Sequence, residues 1–160
     1  MTEIQALLLI KSILESADIH GIENILAEDC EYMSTGRGII GRNRNESIEF
    51  LSSMTESIKA DNVPVTCKVM HITDVYEEDA LFHEGRHGLT VSYESGDNYV
   101  YMIFVDVNDE GLVDRIVSSQ ENYSIEYDDL RFGDDEREYA FISAPTTVKD
   151  WITALSMWLE

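Results

Sequence analysis

"MSTGRGIIGRNRNESIEFL", Met33 to Leu51, decides how the rest of the chain is read. Gly36, Gly38 and Gly41 have the spacing G-x-G-x-x-G, which in a dinucleotide-binding unit follows a strand and opens a helix inside a parallel βαβ repeat. Here the context differs. The helix begins near Asn45 or Glu46, beyond Gly41, so its free N–H groups do not lie over the glycines. After it come "VTCKVMHITDVY", "ALFHEGRHGLTVSYE", "NYVYMIFVDV" and "LVDRIVSSQENY", four segments rich in β-branched and aromatic residues and separated by short turn clusters. Consecutive strands on short turns make an antiparallel meander. The glycines are then structural, letting the chain leave one strand and turn into a helix.

Working outward, Ile4, Leu7, Leu8, Leu14 and Ala17 recur at helical spacing, with Lys11 interrupting the series. They predict a long amphipathic helix, with Thr2 or Asp18 as capping residues, then a short helix from Ile19 to Ala27 and a short strand "CEYMS". A further helix covers Glu46 to Ala60, with Ile48, Leu51, Met54 or Thr55, and Ile58 on one stripe. Asp61-Asn62 ends it and Pro64 prevents its return. Helices followed by a meander give an α+β class, with the helices on one face of a curved sheet. After Tyr123, "SIEYDDLRFGDDEREY" reads as an acidic loop or edge. "TTVKDWITALSMWLE" reads as a closing helix with Val148, Trp151, Ile152, Leu155 and Leu159 on its apolar stripe.

The chain has 160 residues, the size of one domain with a real core. Eleven Lys and Arg face 32 Asp and Glu, a formal net charge of -21, which repels nucleic acid and anionic membrane alike. Such a surface either keeps the protein soluble or docks a basic partner. Cys30 and Cys67 fit free thiols in a cytoplasmic protein, and without C-x-x-C spacing no zinc site is expected. The apolar run near the N-terminus is too short to span a bilayer and has no basic leader. "DVNDEG" resembles the start of a calcium loop, but its twelfth position is Val117, which supplies no carboxylate.

Turn lengths give a register. A three-residue loop at Ser95-Gly96-Asp97 places Tyr93 opposite Tyr99, Val91 opposite Tyr101 and Leu89 opposite Ile103, so one face is apolar. Continuing back along that face come His87, Gly85 and His83. A four-residue turn from Asn108 to Gly111 adds Leu112, Asp114, Ile116, Ser118 and Gln120. The face is greasy near one end and polar near the other. In this register Asp114 shares a cross-strand row with His87, with Val105 between them, about 9.6 Å apart at two strand spacings. A neutral histidine beside a carboxylate is a general base, and the bland alternative is a hydrogen-bonded wall residue. A three-histidine metal site with His71 has no register to support it. Tyr32, Tyr99 and Tyr101 either line a cavity or fill the core.

"NILAEDCEYM" (Asn24 to Met33), "IIGRNRNESIEFL" (Ile39 to Leu51) and "VDVNDEGLVDRI" (Val105 to Ile116), taken in that order, resemble the nuclear transport factor 2-like superfamily, which includes SnoaL-like cyclases and ketosteroid isomerases. The resemblance covers Thr2 to Tyr123. It implies a cone-shaped antiparallel sheet wrapped on N-terminal helices (domain 1–123), with a pocket between them. The remainder, 124–160, becomes an acidic linker and an extra C-terminal helix packing on the same or a neighbouring subunit. Parallel neighbours beside Cys30–Ser34 would be fatal to the family assignment. The ketosteroid isomerase residues do not carry over: the base position falls on Ser34, the tyrosine on Ile10 and the oxyanion acid on Ile103 or its neighbour. The expected function is a small-molecule pocket protein, binding only or acting as an isomerase, cyclase or dehydratase without a bound cofactor. His87 and Asp114 are the catalytic candidates; His83, Tyr32, Tyr99, Tyr101, Ile116 and Gln120 are the substrate-binding ones. A homodimer through the convex face of the sheet is expected, with a small organic ligand as the other partner. The rival expectation is a non-enzymatic module that engages a basic protein through its acidic face and the Trp151–Trp158 helix.

Overall fold

A computed structural model of the chain describes residues 1–35, 37–62, 64–75, 85–93, 99–120 and 125–129, with the backbone alone for 75, 93, 99, 100, 120 and 125–129. His83 and the expected C-terminal helix with Trp151 and Trp158 lie outside the described residues. In chain order come α1 (Glu3–Ser16), a 3-10 turn (Ile22–Asn24), β1 (Leu26–Ser34), β2 (Gly38–Gly41), α2 (Arg44–Asp61), β3 (Val65–Val75), β4 (His87–Tyr93), β5 (Tyr99–Val107), β6 (Val113–Gln120) and β7 (Ile125–Asp129).

Thr2 starts α1 through a reciprocal pair. Its hydroxyl accepts from the Gln5 N–H at 3.2 Å, and Gln5 Oε1 accepts from the Thr2 N–H at 2.9 Å. The helix is not amphipathic as expected. Every residue from Ile4 to Ile10 is buried, and so are Ser12, Ile13 and Leu14. A helix that is apolar on all sides belongs inside, and the unbroken "ALLLI" run forces this. The short helix expected from Ile19 to Ala27 shrinks to one 3-10 turn, because Leu26 and Ala27 are already in β1.

α2 starts at Arg44, where the Asn43 side chain accepts from the Glu46 N–H at 3.0 Å. It ends at Asn62 in the left-handed conformation, as the Asp61-Asn62 pair predicted. Its first turn packs against the β1–β2 hairpin, with Ser47 Oγ donating to the Cys30 carbonyl at 2.8 Å. A Cβ at Gly41 would stand 2.9 Å from both the Ser47 backbone nitrogen and Oγ. The last glycine of the motif is therefore there for close packing of hairpin on helix.

The sheet has the order β2-β1-β6-β5-β4-β3-β7. All neighbours are antiparallel except β1 and β6, which run parallel with Tyr32 beside Ile116 and Ser34 beside Ser118. The expectation of antiparallel neighbours only beside Cys30–Ser34, on which the family assignment is staked, is thus corrected: β6 runs parallel to β1 at Glu31–Ser34. This parallel pair is not a βαβ repeat, because β2, α2 and three strands of the meander intervene before β6 closes on β1. The sheet is mixed, and its class remains α+β.

Between β4 and β5 the expected register holds: Leu89 pairs with Ile103, Val91 with Tyr101 and Tyr93 with Tyr99. Between β5 and β6 it is displaced by two residues, so that Val105 pairs with Ile116, Ile103 with Ser118 and Tyr101 with Gln120. Two effects add. Asn108 Oδ1 accepts from the N–H groups of Glu110 and Leu112, both at 3.0 Å, so the turn absorbs Leu112 as well. A bulge next to Asp106 then takes up Asp114. A shift of two keeps every side chain on its expected face.

The inner face, with Cys67, Val69, Leu89, Val91, Tyr101, Ile103, Val105 and Ile116, packs on α1 in one core that includes Tyr32. On the outer face Ile72, Met102, Phe104 and Val117 form a second buried cluster within the single chain. Replacing Gly41 with Ala should destabilise the fold by about 1–3 kcal/mol, since the new methyl meets backbone that cannot yield easily. Urea unfolding checks this, and an unchanged midpoint would refute the packing role.

Candidate functional site

The register sorts the candidate side chains into rows across the inner face. One row runs from Tyr32 on β1 through Ile116 on β6 to Val105 on β5. Carried two residues beyond Leu89↔Ile103, the β4–β5 register brings His87 beside Val105, and β3 adds His71 directly opposite His87. Tyr101 belongs to another row, between Val91 and Gln120. Four residues of strand, about 13 Å, separate it from His87. Leu89 and Ile103, both 0% exposed, fill the space between under α1.

His87 is not paired with Asp114. Its partner is Glu3, in the first turn of α1. One carboxylate oxygen, Oε1, accepts from the His87 backbone N–H at 2.8 Å and lies 3.0 Å from Nδ1 of the ring. The other oxygen lies 3.9 Å from Nε of Arg86. Burial works to raise the Glu3 pKa, but the hydrogen bonds from the His87 ring and backbone, with the Arg86 charge, outweigh it and hold the carboxyl below its ordinary 4.5. An ionised carboxylate only accepts, so in neutral His87 the proton sits on Nδ1 and the Nε2 lone pair is left to act. The ring is 20% exposed and stacks on His71, with centroids 5.1 Å apart.

Arg86 anchors this corner from the outer side. It is 4% exposed, donates to the Val105 carbonyl at 3.2 Å and to Asp106 at 2.9 Å, and lies over the Phe104 ring at 5.3 Å. Asp114 is in the bulge, away from the His87 row. Burial raises its pKa, and the nearby charges of Asp106 and Asp29 add to the effect. Tyr32 and Ile116 are both 0% exposed, and the Tyr32 hydroxyl meets Met54 Sδ at 3.6 Å. Ile10 and Ile103 are core residues. Of Tyr99 and Gln120 the backbone places only the register, and His83 lies outside the described residues.

Sequence reasoning missed Glu3. The two partners are 84 residues apart in the chain. The available signal was an acid in the first turn of a capped helix, which every helix favours for its dipole and which does not single out a histidine.

Among the described residues no group of three or more His, Cys, Asp or Glu could hold a metal ion, and no helix is long and apolar enough to cross a membrane. No family model matches the chain, and no curated protein does. Among solved structures, the epoxide hydrolase/cyclase-like enzyme SalBIII, of pyran ring formation in the polyether salinomycin, is 16% identical. The match covers 77% of this chain and 92% of that one, with a TM-score of 0.49. An NTF2-like protein of unknown function from Cytophaga hutchinsonii is 13% identical over 69% of this chain and 91% of its own, with a TM-score of 0.45. A bacterial protein with a cystatin-like fold from Silicibacter pomeroyi is 14% identical over 92% of this chain and 82% of its own, with a TM-score of 0.46. In fold the chain is similar to nuclear transport factor 2-like proteins. That likeness concerns the backbone alone and brings no ligand with it.

Glu3 binds its proton more weakly in the folded protein, so its contribution to stability is complete above 4.5 and is lost as pH falls through the lower folded value. Glu3→Gln should therefore be less stable than the parent at neutral pH and should converge with it in acid. Urea midpoints followed across the acid range test this, and parallel curves would show that the pair contributes nothing. Cys30 and Cys67 are buried thiols pushed up to about 12, by burial first and then by neighbouring carboxylates. Neither should react with an alkylating reagent at neutral pH until the chain unfolds; rapid labelling of native protein would contradict the burial.

Proposed function

We propose that the protein is a small-molecule pocket protein of the SnoaL-like kind, in which His87 acts as a general base on an organic ligand and Glu3 takes the orienting role expected of Asp114. The observation that carries this reading is the double engagement of one Glu3 oxygen by the His87 backbone and ring. It fixes both the position of the strand and the tautomer of the imidazole, and it leaves Nε2 as the reactive atom. Stacking on His71 limits the remaining freedom of the ring.

A base of this kind removes a proton from carbon or oxygen and can return it elsewhere on the same ligand. Isomerisation, cyclisation and dehydration all fit that cycle, and none requires a bound cofactor. Asp114, held in the bulge, then has no part at the reacting atom. Tyr101 lies in a separate row, four residues of strand from His87, and is not placed in this site. Homodimerisation belongs to the same proposal. It would use surface other than Met102, Phe104 and Val117, which a single chain already buries.

A thermal-shift screen with apolar and polyketide-like ligands tests the reading. A ligand of this site should raise the melting temperature of the parent protein and leave His87→Ala unmoved, whereas Tyr101→Phe should respond like the parent. A ligand that stabilises His87→Ala as strongly as the parent would place the pocket elsewhere and end the case for His87.

A further inference from the structure

Several acid-free runs interrupt this acidic sequence, and one of them is both the longest and the most basic. From Tyr32 to Asn45 there is no acidic residue, and Arg37, Arg42 and Arg44 all fall within that stretch. The segment carries +3, so the remaining residues carry -24 of the total -21. Its centre is β2, which occupies one end of the strand order, with no strand on its far side among the described residues. Arg37, Gly38, Ile39 and Arg42 are exposed, and Ile39, at 49%, is the only large apolar side chain exposed among the described residues. Among those residues the three arginine side chains form no ion pair within the chain.

An unpaired strand edge offers a row of main-chain donors and acceptors, and natural proteins blunt such edges with charge. Arginine alone, in a protein this acidic, blunts selectively. A second copy pairing β2 with β2 in antiparallel fashion would bring Arg37 of one chain towards Arg42 of the other, a like-charge contact that disfavours self-association. An acidic strand would meet favourable charge at both ends. The edge is also preformed, held by the tight packing of Gly41 on Ser47 and by the Asn43 cap, so little ordering cost remains on binding.

We propose that the free edge of β2 docks an extended, acidic segment of another protein. The segment joins the sheet beside Gly38–Gly41, sets an apolar side chain against Ile39 and pairs its carboxylates with Arg37 and Arg42. This surface is separate from the His87 site and does not depend on it.

Two labelled synthetic peptides, one alternating Glu and Val and the other alternating Lys and Val, test this on the full chain by fluorescence anisotropy and amide chemical shifts. The Glu–Val peptide should bind, shift the amides of residues 38–41 and weaken with added salt. In Arg37→Gln/Arg42→Gln its affinity should fall by about tenfold, a change of about 1.4 kcal/mol, while the melting temperature stays that of the parent. The Lys–Val peptide should not bind. Equal binding of the two peptides, undiminished binding to the double variant, shifts elsewhere than β2, or no binding of either peptide would each overturn the proposal. A concentration-dependent dimer disrupted by the double variant would replace the acidic partner with a second copy.

Discussion

The structure depends on α1 being buried all round from Ile4 to Ile10 against the inner face of the sheet. A single apolar helix of 14 residues cannot satisfy itself in water, and the sheet's inner row of Leu89, Val91, Ile103, Val105 and Ile116 cannot either. Each supplies the surface the other lacks, and the hydrophobic gain from both is what offsets the ordering of the chain. The Thr2–Gln5 capping box matters for the same reason. It fixes where the helix begins, and Glu3 is the first residue after the cap. A start one residue later would rotate Glu3 by about 100°, away from β4.

Much of this was legible, and the failures have physical causes. Periodicity and capping residues located α2 to within two residues at its start, and the Ser95-Gly96-Asp97 loop set the β4–β5 register correctly. Both depend on short-range chemistry that a sequence displays directly. The β5–β6 register was missed because two small events, an Asx-type closure by Asn108 and a bulge at Asp114, are each energetically slight and leave no compositional mark. β2 was read as part of a turn, since four residues with two glycines carry little strand signal. The parallel β1–β6 contact was also missed. Sequence separation hides long-range pairing, and only the closing of the sheet brings those strands together.

The same reasoning explains why His87 could be singled out while its partner could not. A histidine on the apolar face of a strand stands out at once. Its counter-charge came from the other end of the chain, and the candidate nearest in register, Asp114, was displaced by the bulge. What the geometry then offers is a more fully determined imidazole than a cross-strand Asp at about 9.6 Å would have given. Glu3 engages both backbone and ring, so the strand cannot shift without losing the carboxylate.

α1 also decides what kind of ligand can reach that imidazole. Because the helix fills the middle of the hollow, the His87 end and the Tyr101 end are separate places, and a long ligand lying across both would have to displace Leu89 and Ile103 from their packing. His87 and His71 stand at the N-terminal end of α1, beside Glu3. There the field of a chain with net charge -21 disfavours the approach of anions and favours neutral or cationic molecules. Arg86, the nearest cation to Glu3, is already committed to Asp106 and the Val105 carbonyl, so it does not reverse that preference. Among the described residues the corner therefore pairs an imidazole oriented by Glu3 with an arginine that is engaged elsewhere. If His87 is the base proposed for it, that combination favours proton removal from an uncharged organic molecule over a reaction that must neutralise an anionic group.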